Sequence, residues 1–188
     1  VAGAATAPVV YLCDVGGGST EIVRGARAPG GLAAVSAASF DWGAVTLTDR
    51  FAGPDALSDA RRRALHSHVS AALRARLGTA GRLSTGPLVA VGGTATSLAA
   101  LELGLAVYDP ARVHGASVAR TAVLGWLDRL GPLTPGERAR VAGLSAARAR
   151  ILPAGLVVLA EVAAWLGVER VIVSDHGVRH GVLALGVD

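Results

Sequence analysis

The 188-residue chain contains no lysine, methionine, asparagine or glutamine, and it has a single cysteine, Cys13. One thiol excludes an internal disulfide framework and suits a reducing compartment, the cytoplasm. Without lysine, no Walker-type loop can reach a phosphate with an ammonium group. All 18 basic residues are arginines, set against 14 acids for a formal charge of +4. So uniform a bias reads as coding composition rather than as a surface selected for a specific nucleic acid, while a modest positive field still favours a polyanion. No uninterrupted apolar run is long enough for a bilayer. The longest, Ile151 to Val168, is broken by Pro153, Gly155 and Glu161 and is read as a buried helix, so no membrane role is expected. No amino-terminal segment joins basic residues, an apolar stretch and a small-residue cleavage site. The histidines lack metal-cluster spacing, and no Ser-His-Asp set can be assembled. The small-residue lead from Val1 to Pro8, without an initiator methionine, reads as an excised piece of a longer protein.

What is present is globular. A hydrophobic content of 52% with 17% charged residues is enough for a buried core, and 188 residues fit one domain spanning 1–188. Val9 to Cys13 reads as a buried strand ending at Asp14, followed by a Gly16-Gly17-Gly18 turn and a returning strand from Thr20 to Arg24. Leu32 to Phe40 reads as a third strand. Ser58 or Asp59 is expected to cap a helix ending at Gly78, with Leu65, Val69, Leu73 and Leu77 on its inner stripe. Leu88 to Val91 is a short buried strand before Gly92-Gly93, and the next helix is expected from Thr94, its cap, to Leu103. Helices are further expected over Val118 to Leu130, Pro135 to Gly143 and Ala146 to Leu166. A last strand, Val171 to Val173, is expected to lead into a closing helix. This order predicts an α/β layer architecture, a mixed sheet that begins with a β-hairpin and is flanked by helices.

Three segments carry chemistry. In Asp14-Val15-Gly16-Gly17-Gly18-Ser19-Thr20-Glu21, the glycines let backbone amides approach an anion, Ser19 and Thr20 add hydroxyls, and Asp14 and Glu21 flank the turn on paired strands. Two carboxylates beside a phosphate cradle suit Mg2+ or another divalent cation, or a water-orienting pair. In Val91-Gly92-Gly93-Thr94, a strand turns into a helix whose free amides suit a second phosphate contact. In Ser174-Asp175-His176-Gly177-Val178-Arg179-His180-Gly181, Arg179 is a candidate anion contact and the histidines are read as surface groups. His66 and His68 are read as surface residues too, and Cys13 as a core thiol.

The stretch from Asp14 to Glu21 resembles the second phosphate motif of the exopolyphosphatase and guanosine-pentaphosphate phosphohydrolase (Ppx/GppA) family, a branch of the actin, Hsp70 and sugar-kinase superfamily. Gly43 to Phe51, Gly92 to Thr96, Tyr108-Asp109 with Val113-His114-Gly115, Leu144 through Arg148 to Gly155, and Val173 to Gly181 resemble family segments in the same order. The resemblance implies the second, ribonuclease-H-like (actin-like ATPase) lobe of a hydrolase. Its substrate would be inorganic polyphosphate or a guanosine penta- or tetraphosphate. It also implies Asp14 and Glu21 as catalytic and metal-binding residues, with phosphate held by Gly16, Gly17, Gly18, Ser19, Thr20, Gly92, Gly93 and Thr94. The family's first lobe and its catalytic glutamate have no counterpart here, so the lobe is expected to be inactive alone and to partner a first lobe, with room for a homodimer. A regulatory module that binds alarmone or polyphosphate without hydrolysis, and an ATP-using kinase-like lobe, are the alternative readings.

Overall fold

The structure is a computed structural model that describes residues 4, 6–29, 31–78 and 86–176. Three strands open it as an antiparallel meander, β1 (Val9–Val15), β2 (Thr20–Ala28) and β3 (Gly31–Phe40), followed by helices α1 (Ala44–Phe51) and α2 (Asp59–Leu77). Then come β4 (Leu88–Val91), α3 (Gly92–Glu102), α4 (Pro110–Val113), β5 (Ser117–Ala119), α5 (Arg120–Leu130), α6 (Pro135–Arg138), α7 (Ala146–Leu166) and β6 (Arg170–Val173). The described strands form one sheet in the order β3-β2-β1-β4-β6-β5. β4 runs parallel to both β1 and β6, and the remaining pairs are antiparallel. The expected mixed α/β sheet with flanking helices is what forms.

Alternation along β1 sorts its side chains. Tyr11, Cys13 and Val15 enter the main core, while Val10 joins a smaller cluster with Ala4, Val89 and Val91, against which Leu12 and Ile172 pack. β4 is buried at all four positions, as a central parallel strand must be. In α2 the buried residues Leu65, Val69 and Leu73 recur at four-residue spacing. Ser58 caps that helix by accepting from the Arg61 N–H at 3.4 Å, and Gly78 closes it at φ +67°. The interrupted run read as a buried helix is α7. It is long and apolar enough to cross a membrane by composition, yet its side chains from Leu152 to Ala160 are all buried in the core.

Three expectations need correction. The helix expected from Val118 starts at Arg120, because Ser117 to Ala119 pair antiparallel with Arg170 to Ile172 as an edge strand too short to show alternation. The helix expected over Pro135 to Gly143 stops at Arg138. There the chain turns so that the buried Arg138 guanidinium donates to the carbonyls of Leu130 at 2.7 Å, Gly131 at 3.1 Å and Ala149 at 3.2 Å, tying the end of α5 to the start of α7. α3 begins at Gly92 rather than Thr94, and its N-cap, Val91, makes no side-chain cap. The closing helix, with Arg179 and His180, lies outside the described residues.

Candidate functional site

The tip of the β1-β2 hairpin is shaped by the helix that follows the meander. The Ala44 N–H donates to the Gly16 carbonyl at 2.8 Å, and the Val45 and Thr46 N–H groups donate to the Gly17 carbonyl at 2.9 and 3.3 Å. These are first-turn amides of α1, which have no partner inside their own helix. With its carbonyls turned toward α1, the tip presents amides elsewhere. The Gly16 N–H closes the turn on the Ser19 carbonyl at 3.0 Å, and among the described residues no acceptor takes up the N–H groups of Gly17, Gly18 or Ser19. Gly17 and Gly18 are exposed and Gly16 and Ser19 half-buried. The approach requires a glycine in the helix lead: a Cβ at Gly43 would stand 2.5 Å from the Gly16 carbonyl oxygen and 2.7 Å from that of Gly17.

Asp14 and Glu21 are direct cross-strand partners in the β1-β2 register, so their side chains share one face of the sheet. Ser39 on β3 donates its hydroxyl to Glu21 Oε1 at 3.2 Å, steadying that carboxylate. Partial burial, and secondarily the charge of Glu21, raises the pKa of Asp14 above its usual range. Two acids held side by side at a half-buried position suit a cation. Asp14 and Glu21 form a pair rather than a closed cage, and among the described residues no group of three or more His, Cys, Asp or Glu clusters at metal-binding distance. A pair of carboxylates fits Mg2+, which retains water and takes its remaining ligands from substrate phosphates.

The start of α3 meets this pair. Gly92 has φ +83°, and a Cβ there would lie 2.6 Å from Asp14 Oδ1, so a side chain is excluded both by the backbone and by the acid. Next to it, Gly93 lies directly under the guanidinium of Arg148, which occupies the space a Cβ would take. Arg148 is half-buried in the first turn of α7 and makes no ion pair among the described residues. The parallel register of Asp14 with Val91 sets β1 and β4 level, so the hairpin tip, the acids, the first-turn amides of α3 and Arg148 gather at one carboxyl edge of the sheet.

Two residues named from sequence do not serve there through their side chains. Thr20 is wholly buried on the face opposite Glu21, with its hydroxyl unpartnered. Strand alternation forces this, since Thr20 shares a face with the buried Ile22. Thr94 is 2% exposed and packs against α7, where a Cβ at Gly155 would meet its Oγ1 at 2.5 Å. Only its backbone amide belongs to the open turn. His66 is no free surface group but pairs with Glu161 at 2.7 Å, and His68 lies against the Phe51 ring, its pKa lowered by burial and then by Arg50. Cys13 is a core thiol, its pKa raised by burial and then by Asp14 and Glu21. Arg148 and Gly43 were missed as site residues. Both fall inside segments that resemble the family, the one available signal.

The chain and its fold have counterparts among known proteins. The chain matches the Ppx/GppA phosphatase family over residues 2–186. It is 33% identical over 194 residues to exopolyphosphatase 2 of Mycobacterium tuberculosis, an alignment covering 96% of this chain and 56% of the relative. Its fold superposes on the crystal structure of the Aquifex aeolicus Ppx/GppA phosphatase with a TM-score of 0.85 at 29% identity, covering 96% of this chain and 58% of that one. An exopolyphosphatase from Cytophaga hutchinsonii shares the fold at a TM-score of 0.80 and 20% identity, over 96% of this chain and 57% of its own. The chain thus spans somewhat over half the length of these relatives. On the family match across almost its whole length and on that identity, the chain belongs to the Ppx/GppA phosphatase family.

Proposed function

We propose that this lobe holds the phosphate chain of inorganic polyphosphate or of a guanosine penta- or tetraphosphate for hydrolysis of its terminal phosphoanhydride bond. The observation that carries this reading is the convergence, at one sheet edge, of the open amides of Gly17, Gly18 and Ser19, the acid pair Asp14 and Glu21, and the guanidinium of Arg148 over Gly93. Phosphoryl transfer to water asks for positioning and charge neutralisation more than for covalent chemistry from the protein. Here the tip amides and the α3 amides bind phosphate oxygens, Arg148 offsets their charge, and the two acids hold the cation. A divalent cation, when bound, neutralises phosphate charge and orients the oxygens it contacts.

The general base is assigned to a first lobe, following the family resemblance, so the 188 residues alone turn over substrate negligibly. Phosphate release from polyphosphate with Mg2+ tests this. Turnover is expected once the chain is joined to the amino-terminal lobe of a family relative. Rapid hydrolysis by the isolated chain that disappears in Asp14→Asn and Glu21→Gln would move the base into this lobe. Tight alarmone binding with no turnover in the joined protein would favour the regulatory reading.

A further inference from the structure

Beyond the phosphate site, the same sheet edge carries an aromatic ring that the hydrolytic reading leaves unused. Val107 and Tyr108, in the loop between α3 and α4, are 81% and 47% exposed, two of the few large apolar side chains on the described surface. Val107 is free of any packing role at that exposure. Tyr108 is nonetheless held in place. Its hydroxyl donates to the Asp175 carboxylate beside Thr96, so the ring is pinned at its polar end while its body stays open to solvent. Burial of the hydroxyl, followed by its bond to Asp175, pushes the phenol up to about 12, which keeps it a donor across the physiological range.

The Asp175 anchor and the neighbouring Thr96 fix where the ring stands. Thr96 lies one turn into α3, with its hydroxyl on the Gly92 carbonyl at 3.3 Å. Asp175 follows β6, whose exit is tied to β4 by the Ser174 N–H on the Ala90 carbonyl at 2.9 Å. Tyr108 therefore stands at the carboxyl edge of the sheet beside β4 and β6, while Asp14 closes β1 on the other side of β4. From β1 to β6 is two strand spacings, about 10 Å. That is the reach of a nucleotide from its phosphates, across the ribose, to the base.

From this placement we infer that Tyr108, with Val107 beside it, is a stacking platform for the base of a phosphorylated nucleoside whose phosphates occupy the site at Asp14 and Gly93. The inference rests on the phosphate-site reading above and sharpens it, because inorganic polyphosphate has no base to place there. A ring clamped at its hydroxyl and open on its face binds a base without the entropic cost of being ordered first.

Calorimetric titration of guanosine tetraphosphate and of tripolyphosphate, each with Mg2+, into the chain tests it. Tyr108→Ala should weaken guanosine tetraphosphate about 5- to 100-fold, the range for loss of one base-aromatic stack, and leave tripolyphosphate within about twofold. Tyr108→Phe, which keeps the ring but frees its polar end and guards against a folding defect, should lose clearly less nucleotide affinity than Tyr108→Ala. Arg148→Ala should weaken both ligands. Equal losses for both ligands in Tyr108→Ala, or no loss for the nucleotide, overturn the platform while tripolyphosphate binding leaves the phosphate site standing. If the unaltered chain binds neither ligand, the phosphate-site reading itself falls and takes the platform with it.

Discussion

The guanidinium of Arg148, in the first turn of α7, rests on the Cα of Gly93, in the first turn of α3, so that a positive group and a set of open helix amides face the same space. Neither residue suffices alone. Any side chain at position 93 would displace the arginine, and without the arginine the turn would be a plain helix start.

Arg148→Ala is expected to weaken tripolyphosphate binding about 10- to 100-fold, the equivalent of one charge-assisted hydrogen bond. It should leave thermal stability nearly unchanged, because the side chain is half-buried and makes no ion pair among the described residues. Gly93→Ala should reproduce the binding loss by pushing the guanidinium aside. Calorimetry and a melting curve on each variant check both halves.

Asp14 is held where its ionised form is disfavoured, by partial burial first and by Glu21 second, so its folded-state pKa lies above its unfolded one. The folded chain then binds the proton more tightly, and the stability this adds at low pH is lost as pH rises through the folded-state pKa. Asp14→Asn should accordingly melt higher than the unaltered chain at pH 7. The gap should close as pH falls toward about 4, the ordinary carboxylate range. Mg2+ should raise the melting temperature of the unaltered chain and not that of the variant. Melting curves across pH, with and without the cation, give the result.

Arg138 is 1% exposed and its guanidinium satisfies three carbonyls at the junction of α5, α6 and α7. Truncation to alanine removes three charge-assisted hydrogen bonds: the Leu130 and Gly131 carbonyls keep the N–H groups of Leu133 and Leu57, but the Ala149 carbonyl, whose helical partner position is Pro153, is left without a donor. Arg138→Ala should cost on the order of 3 kcal/mol or more, a fall of roughly 6 to 12 °C in melting temperature for a chain of this size. Arg140→Ala, at an exposed position in the same segment, should stay within about 0.5 kcal/mol. Denaturant titration of the two variants separates a buried anchor from a surface arginine.

The sequence made the frame of the site readable for definite reasons. The hairpin could be placed because apolar residues run up to Asp14 and resume after Glu21. A turn of that length makes the two acids cross-strand partners. Ser58 and Gly78 marked both ends of α2 because capping chemistry is local. The side chain of Thr20 was misplaced although alternation with Glu21 and Ile22 contained the answer: a hydroxyl next to a glycine loop suggested binding, while the strand period sent it inward. Thr94 was misplaced because α3 begins two residues earlier, at a Gly92 with a positive φ beside Asp14. β5 is three residues long and carries no period to detect. Arg148 could not be singled out among so many arginines, because its role depends on α7 and α3 starting side by side.

If the hairpin tip, the acid pair and the α3 turn form one phosphate site, amide-resolved NMR during a tripolyphosphate titration with Mg2+ will locate the ligand on them. The largest shifts are expected at the N–H groups of Gly17, Gly18, Ser19 and Gly93, greatly reduced in Arg148→Ala. Shifts confined to the arginine-rich face of α2, at Arg61, Arg62 and Arg63, with the glycine amides unmoved, would contradict it.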